Sequence, residues 1–134
     1  MISATTDPVR YVTRFSDGVH EGIADASIAK GGTDAGFRPS DLLEAALATC
    51  VAMTVRMYAD QRSIPLENVV VRVATDRLPN ELVFRYEIVL EGDLTVEHRE
   101  KLLRAASACP VHRSLMKPIR FESAAQAASI RDAV

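Results

Sequence analysis

Two cysteines carry the most reactive side chains of this sequence, and their local contexts differ. Cys50 lies in a long apolar run of helix-forming composition, where a thiol often packs as a small hydrophobe. Cys109 precedes Pro110, and because proline favours the first position of a helix, we expect Cys109 near the N-cap. There, free N–H groups and the positive helix end should lower the pKa of the Cys109 thiol. The pair indicates either thiol redox chemistry or two structural cysteines.

A metal site is an alternative, because His112 follows Cys109 by three residues and the two could share a helix face. Together with Cys50 they would supply the Cys/Cys/His ligands of some zinc sites. Zinc signatures usually contain two closely spaced ligand pairs, and no second pair is present. A solvated or hydrogen-bonded His112 is therefore favoured, and His20 and His98 offer still less evidence of function.

The composition indicates one globular domain over residues 1–134. The 134 residues are 48% hydrophobic and 25% charged, which argues against a disordered chain. A net charge of -2 and few aromatic residues argue against a nucleic-acid partner. Met1–Asp7 has no signal-peptide features, and the strongest apolar stretch, Ala45–Val55, is shorter than a membrane span of about 20 residues. We therefore expect a cytoplasmic protein with no membrane attachment, where a cysteine pair is more often catalytic, redox-sensing or metal-binding than structural.

The pattern of alternation and turns predicts an α+β domain. A turn is expected at 16–18 and a glycine-rich loop at 30–36. The predicted strands are Val9–Phe15, Val19–Ser27, Val69–Ala74, Glu81–Glu91 and Ile119–Glu122. The predicted shorter helices are Thr95–Ala108 and Cys109–Met116, and a helical tail is expected at Ser123–Val134.

The longest predicted helix, Ser40–Ile64, contains no glycine or proline and is rich in helix-forming residues. Ser40 or Asp41 is expected to cap it, and Asp41 with Glu44 has the spacing of a capping box. Apolar residues occupy every side of this helix, so it should be buried all round. Because a chain of this length cannot easily enclose such a helix by itself, we expect a homodimer that sandwiches it.

Both cysteines lie in motifs that resemble those of the OsmC/Ohr family. Residues 31–55 read GGTDAGFRPSDLLEAALATCVAMTV, which resembles the family's first cysteine motif and contains Cys50. Residues 109–115 read CPVHRSL, which resembles the second motif and contains Cys109. The two motifs occur in the family's order around the same pattern of elements, so the resemblance covers most of the chain.

The resemblance implies a fold and an activity. Members of the family are intertwined α+β homodimers in which strands of both subunits enclose two long central helices. Characterised members are thiol peroxidases that reduce organic hydroperoxides and, less efficiently, hydrogen peroxide. By motif match, Cys50 would attack the peroxide and become a sulfenic acid. Cys109 would then condense with it to a disulfide, which an external dithiol reduces. The resemblance implies no metal or organic cofactor, because the thiolate supplies the nucleophile.

The sequence departs from the best-known peroxidases of the family at the start of the long helix. In those proteins a glutamate follows the proline of the first motif and pairs with an arginine of the N-terminal hairpin, which activates the first cysteine. Here Ser40 follows Pro39. The nearest acid is Asp41, nine residues and about 180° around a helix from Cys50, where a helix cap is as good an interpretation as a catalytic role. The candidates for the arginine are Arg10, Arg14 and Arg38.

Two functions from different classes follow. The first is a cytoplasmic, homodimeric thiol peroxidase that acts on small organic hydroperoxides through Cys50 and Cys109, with Asp41 and Arg38 as candidate supporting residues. The second is a binding or redox-sensing protein of the same fold with little peroxidase activity, which Ser40 favours. A buried Cys50 without a cationic partner would be a poor peroxidase.

Overall fold

The computed structural model of the protein describes residues 1–122. The strands are β1 Ser3–Thr6, β2 Thr13–Ser16, β3 Glu21–Ala24, β4 Asn68–Arg77 and β5 Leu82–Glu91. The helices are α1 Pro39–Gln61, α2 Val96–Ala106 and α3 Pro110–Leu115, and a short 3-10 helix covers Ile28–Lys30. All strand pairing within the two sheets is antiparallel, and the predicted α+β class is confirmed.

The N-terminal sheet has the strand order β1-β2-β3 and differs from the expectation in its first half. β1 lies where no strand is predicted, and the strand expected at Val9–Phe15 is confined to the end of that segment. Its beginning forms a turn, in which the Val12 N–H donates to the Val9 carbonyl (3.1 Å). Tyr11 in this turn has a positive φ of 67°. The strand predicted at Val19–Ser27 is likewise reduced to the four residues of β3.

The loop after β3 is organised by a buried carboxylate. The Asp25 side chain accepts hydrogen bonds from the N–H groups of Ala26 (2.7 Å), Thr33 (2.9 Å) and Ala35 (3.1 Å) and from the Thr33 hydroxyl (2.7 Å). These donors, the Ala35 N–H first among them, lower the pKa of Asp25 to about 2. The loop that leads into α1 is therefore tied to the end of the N-terminal sheet.

The cap of α1 differs from the prediction. The N-cap residue is Arg38, not Ser40 or Asp41. Asp41 occupies the third helical position, and its carboxylate accepts the Arg38 N–H at 3.1 Å. Glu44 takes no part in the cap, because its carboxylate accepts the N–H (3.0 Å) and the hydroxyl (2.7 Å) of Thr75 on β4. The N-terminal half of α1 is thereby fastened to the hairpin.

The core lies between α1, the β4–β5 hairpin and α2. A stripe of α1 at four-residue intervals is fully buried, namely Leu47, Val51, Val55 and Ala59. Leu90 of β5 and Leu102 of α2 belong to the same apolar cluster. Burial of a leucine or valine side chain contributes about 1.5–3 kcal/mol, so this stripe is a main source of the stability that holds α1 in place.

The opposite face of α1 is apolar and exposed in the single chain. Met53 and Met57 are each 60% exposed, and Leu43, one turn before Leu47 at the edge of the buried stripe, is 48% exposed. Ala46 and Cys50 lie between them on the helix surface and carry no charge. Within one chain, α1 is therefore buried along one side and not all round. The second copy expected to cover the other side stays a prediction.

Length and composition alone would allow α1 to cross a membrane, since it has 23 residues and an 18-residue window within it has a mean hydropathy of 1.4. It is the one such helix within residues 1–122. The expectation counted the stretch Ala45–Val55 alone, whereas the apolar window spans 18 residues of the helix. The buried stripe shows that α1 packs as the core helix of a folded domain.

In the C-terminal part of the described chain, the structure confirms the two predicted shorter helices and contradicts the predicted last strand. α2 and α3 lie within the predicted Thr95–Ala108 and Cys109–Met116. The strand predicted at Ile119–Glu122 is wrong, because no other strand within residues 1–122 pairs with it, and Phe121 is 93% exposed. The helical tail predicted at Ser123–Val134 lies outside the described residues.

Candidate active site

Cys109 is the N-cap residue of α3, as the Cys-Pro sequence predicts. Pro110 takes the first helical position, and the Cys109 Sγ accepts a hydrogen bond from the His112 N–H at 3.5 Å. The side chain is fully buried and belongs to the apolar core that α1 and the hairpin form. The sulfur therefore serves as a helix cap inside the core.

The two thiols meet where α3 begins beside α1. Both cysteines are free, and the Cys50 side chain packs against the apolar cluster that contains Cys109. Burial raises the pKa of the Cys109 thiol, and the neighbouring Cys50 side chain raises it further. The N–H groups of His112 and Val111 act in the opposite direction without outweighing burial. The expected lowering of the Cys109 pKa is therefore wrong, because desolvation exceeds the effect of the helix start.

Cys50 stands at the border between the buried stripe and the exposed face of α1. Its side chain is half-buried and packs against the core cluster. One turn after Cys50, the Thr54 hydroxyl donates to the Cys50 carbonyl (2.7 Å). Directly before Cys50, the Thr49 hydroxyl donates to the Ala45 carbonyl (2.7 Å). Cys50 thus faces the Cys109 thiol in the core and also borders the exposed side of the helix.

Arg38 and Asp41 form a close pair at the start of α1, away from the thiols. The guanidinium donates from Nε (2.9 Å) and NH2 (2.6 Å) to the two oxygens of Asp41. These bonds lower the pKa of the Asp41 carboxyl. Twelve residues separate Arg38 from Cys50, or about 18 Å along the helix axis. The two candidate supporting residues therefore contact each other and not the thiols.

The other two candidate arginines lie in the N-terminal sheet. Arg14 pairs with Asp7 at 3.0 Å. Arg10 donates to the Tyr11 hydroxyl (2.6 Å), and its guanidinium carbon stands 4.6 Å from the centre of that ring. Within residues 1–122 of a single chain, none of the three arginines forms a hydrogen bond or an ion pair with either cysteine.

His112 contributes its backbone, not its imidazole, to the Cys109 thiol. The imidazole packs edge-on to the Tyr86 ring, with centroids 6.1 Å apart. No group of three or more Cys, His, Asp or Glu residues in the described part of the chain is placed to hold a metal ion. The zinc arrangement of Cys50, Cys109 and His112 is therefore not formed.

Two cavities flank the segments that carry the thiols. The first, of about 600 Å³, lies between α1 and α2 and is called the α1–α2 groove. It is lined by Thr54, Met57, Tyr58, Gln61, Lys101, Arg104, Ala105 and Ala108. The second, of about 550 Å³, lies between β5 and α3 and is called the β5–α3 cavity. Its walls include Leu47, Phe84, Tyr86, His112, Leu115 and Met116.

Sequence motifs do not indicate either cavity. A weak signal for the groove is the spacing of its residues, since 54, 57, 58 and 61 on α1 and 101, 104, 105 and 108 around α2 repeat one helical face. The sequence also does not indicate the hydrogen bonds from Thr75 to the Glu44 carboxylate, because they join residues 31 positions apart. Both features depend on how α1 packs, which local patterns do not specify.

The family described as "OsmC-like protein" matches residues 31–124, which include both cysteines. No curated protein sequence gives a significant match to the chain. The fold is similar to that of an OsmC-like protein from Mycoplasma pneumoniae, at a TM-score of 0.72 and 19% identity, with 86% of this chain and 85% of that chain covered.

Two further similar structures are those of organic hydroperoxide resistance proteins. The one from Legionella pneumophila has a TM-score of 0.61 and 20% identity, and covers 87% of this chain and 88% of its own. The one from Elizabethkingia anophelis has a TM-score of 0.64 and 18% identity, and covers 86% of both chains. At such low identity these likenesses concern the fold.

Proposed function

Because the chain belongs to the OsmC-like family, we propose that it is a thiol peroxidase that reduces organic hydroperoxides. The observation that carries the proposal is the neighbouring pair of free thiols, Cys50 on α1 and Cys109 at the start of α3. Two of the similar structures are those of organic hydroperoxide resistance proteins, which supports organic hydroperoxides as the class of substrate.

The proposed reaction has three steps. The Cys50 thiolate attacks the OH-bearing oxygen of the hydroperoxide and the O–O bond breaks, so that the OH stays on the sulfur as a sulfenic acid. The alkoxide takes up the proton that the Cys50 thiol released on ionisation and leaves as the alcohol. The Cys109 sulfur then attacks the Cys50 sulfur, and the displaced hydroxide leaves as water with the Cys109 proton. An external dithiol returns two electrons by thiol–disulfide exchange and is itself oxidised.

The exposure of the two thiols favours this division of roles. Cys50 is half-buried and borders the exposed face of α1, whereas Cys109 is fully buried. The raised pKa of Cys109 keeps it as a thiol, which is a weaker nucleophile than a thiolate. Cys109 therefore stays reduced until the sulfenic acid forms beside it. The thiolate supplies the nucleophile, so the proposal includes no metal or organic cofactor.

The β5–α3 cavity suits a small apolar hydroperoxide. Phe84 and Met116 give it apolar surface, and its polar or charged lining residues are Glu81, Tyr86, His112 and Lys117. Leu47 and His112 each lie three residues from a cysteine, so the cavity adjoins both segments of the site. A mostly apolar cavity with few polar groups is typical of small-molecule sites.

The proposed active form is a cytoplasmic homodimer of this single domain. The exposed apolar face of α1, with Leu43, Met53 and Met57, is of the kind that protein interfaces cover. A second copy there would also stand next to Cys50 and could bring the cation that the described part of one chain does not place at the thiols. Size-exclusion chromatography with light scattering should give twice the chain mass of 14.6 kDa, and a monomer mass would contradict this arrangement.

The activity is tested by dithiol-dependent consumption of cumene hydroperoxide. Cys50→Ser should abolish it. Cys109→Ser should be oxidised once and be trapped by dimedone as a sulfenic acid at Cys50, without forming the disulfide. A Cys50→Ser variant that consumed the peroxide as fast as the wild type would overturn the assignment.

A binding or redox-sensing protein with little peroxidase activity is the second candidate. It is favoured by the pairing of Arg38 with Asp41, which leaves that arginine engaged at the start of α1. For this candidate, the rate of Cys50 oxidation by cumene hydroperoxide should not exceed that of free cysteine. A rate several orders of magnitude higher excludes it.

A further inference from the structure

The reaction proposed for Cys50 needs a proton donor besides the thiols. When the O–O bond breaks, the departing alkoxide is strongly basic and takes up a proton as it forms. Cys50 reacts as the thiolate, and the Cys109 proton leaves with the hydroxide in the second step, so neither thiol delivers this proton. A positioned side chain that protonates such a leaving group accelerates a reaction roughly 10²–10⁴-fold. The site therefore has a place for a general acid.

The wall of the β5–α3 cavity offers four side chains that can hold a proton, namely Glu81, Tyr86, His112 and Lys117. A general acid is most effective when its pKa lies near the working pH. Among carboxylate, phenol, imidazole and ammonium groups, imidazole is the type that ordinarily changes its charge between pH 5 and 8. By residue type, His112 is therefore the group in this wall that is suited to donate a proton and to regain it.

His112 lies at the boundary between the thiols and the cavity. Its N–H donates to the Cys109 Sγ at 3.5 Å, which fixes its backbone beside the second thiol. Its imidazole lines the cavity and packs edge-on to Tyr86, with the ring planes at 89°. Within residues 1–122 the ring nitrogens form no hydrogen bond, so they are free to contact an oxygen of a bound molecule.

The α1 wall of the cavity is on the side of the helix that one chain already buries. Leu47 lines the cavity, belongs to the buried stripe and lies within one turn of Cys50. A second copy that covered Met53 on the exposed face would therefore leave this wall in place. A hydroperoxide held between Leu47 and His112 lies between the turn of α1 that carries Cys50 and the turn of α3 that follows Cys109.

We infer that the His112 imidazolium is the general acid of this reaction and donates a proton to the alkoxide oxygen as the O–O bond breaks. The Cys50 sulfur supplies the electron pair of the new S–O bond, and the pair of the O–O bond leaves with the alkoxide. The product is the alcohol, with the proton from His112. The neutral imidazole then regains a proton from water, into which Cys50 released its own on ionisation. This role rests on the proposed peroxidase function.

The test compares two peroxides of similar size whose leaving groups differ in basicity. Cumene hydroperoxide releases an alkoxide, which needs a proton, whereas peroxybenzoic acid releases benzoate, which does not. The measured quantity is the second-order rate constant for the loss of free thiols from the reduced protein at neutral pH. His112→Gln should lower this rate constant about 100-fold for cumene hydroperoxide and leave it within about 2-fold of the wild type for peroxybenzoic acid.

Two further variants separate proton donation from packing. His112→Phe keeps a ring against Tyr86 but has no proton to donate, so it should show the same selective loss. Both His112 variants keep the N–H that binds the Cys109 Sγ. His20→Gln is the control, because His20 is exposed and its ring bonds Asp17 (3.1 Å), and it should leave both rate constants unchanged. Since both peroxides are compared within one variant, an unfolded fraction would lower both rate constants alike.

The outcomes distinguish this role from the proposed function. An unchanged rate constant of His112→Gln with cumene hydroperoxide would overturn the role of His112. An equal loss with both peroxides would overturn it too, because it would indicate a structural effect. In either case a fast reaction of the wild type leaves the peroxidase function standing. If the wild type reacts with cumene hydroperoxide no faster than free cysteine does, the proposed function fails, and the role of His112 fails with it.

Discussion

Removal of the Glu44 side chain should weaken the attachment of α1 to the β4–β5 hairpin, and it should cost more stability than removal of an exposed charged side chain. The Glu44 carboxylate accepts both the N–H (3.0 Å) and the hydroxyl (2.7 Å) of Thr75 on β4. It lies six residues before Cys50 on the same helix, so it holds the segment that positions the thiol. Both bonds end on the same oxygen, Oε1, and Glu44→Ala removes it.

The expected cost follows from the type of the two bonds. A hydrogen bond to a charged group contributes about 1.5–3 kcal/mol, and a neutral one about 1 kcal/mol. Because Glu44 and Thr75 are only half-buried, water replaces part of each lost bond. We therefore expect Glu44→Ala to lower the free energy of unfolding by about 2–3 kcal/mol, and Glu44→Gln, which keeps the accepting oxygen but loses its negative charge, by about 1 kcal/mol.

The measurement is urea unfolding followed by circular dichroism at one fixed protein concentration, since association with a second copy would add to the apparent stability. With an m-value of about 1–3 kcal/mol/M, the Glu44→Ala midpoint should fall by roughly 1–2 M. Glu87→Ala is the matched control, because this carboxylate bonds Arg72 at 2.9 Å with both side chains exposed, and its loss should cost less than about 1 kcal/mol. Equal midpoints for the two variants would refute the reasoning.

Three further predictions concern a thiol, a carboxylate and a glycine. Because the pKa of Cys109 is raised, its alkylation rate should still increase with pH where the rate for a free peptide of residues 109–115 has levelled off. Mass spectrometry of the labelled peptides measures both rates. Coincident pH profiles for the protein and the peptide would contradict the prediction. Because the pKa of Asp25 is about 2 in the folded chain against 3.8 ordinarily, its stabilisation is complete above about pH 4 and lost toward pH 2. The Tm of Asp25→Asn should therefore be lower than that of the wild type at neutral pH and approach it near pH 2, and a constant difference would contradict this. A Cβ at position 22 would lie 2.2 Å from the β2 phenylalanine ring, so Gly22→Ala should lower the Tm by more than ~5 °C, whereas an unchanged melting curve would show that the ring moves aside freely.

Local rules predicted where the second thiol lies but not how acidic it is. The fixed φ of Pro110 places the helix start, and Cys109 is the N-cap as expected. The direction of its pKa depends on burial, which comes from α1 and the hairpin packing over it. Alternation likewise predicted β4 and β5 and failed at Ile119–Glu122, because a strand also requires a neighbouring strand with which to pair.

The three candidate arginines show the same limit. Each is held by a residue near it in the sequence: Arg38 by Asp41, Arg14 by Asp7 and Arg10 by Tyr11. The short separations of these partners in the sequence account for the pairs once the structure shows them. A choice among the three required knowing which of them stands next to Cys50, and in one chain none of them does.

The exposed face of α1 joins these observations. The sequence predicts a helix buried on all sides, and one chain buries the stripe of Leu47 and Val51 while leaving Met53 and Met57 exposed. Cys50 lies on the border between the two, so whatever covers the exposed face also decides what stands beside the thiol. If a second copy covers it, oligomeric state and thiol reactivity must change together. Charged substitution at Met53, which does not touch the buried stripe, should then yield a monomer that has also lost its peroxidase activity, and a fully active monomer would separate the two.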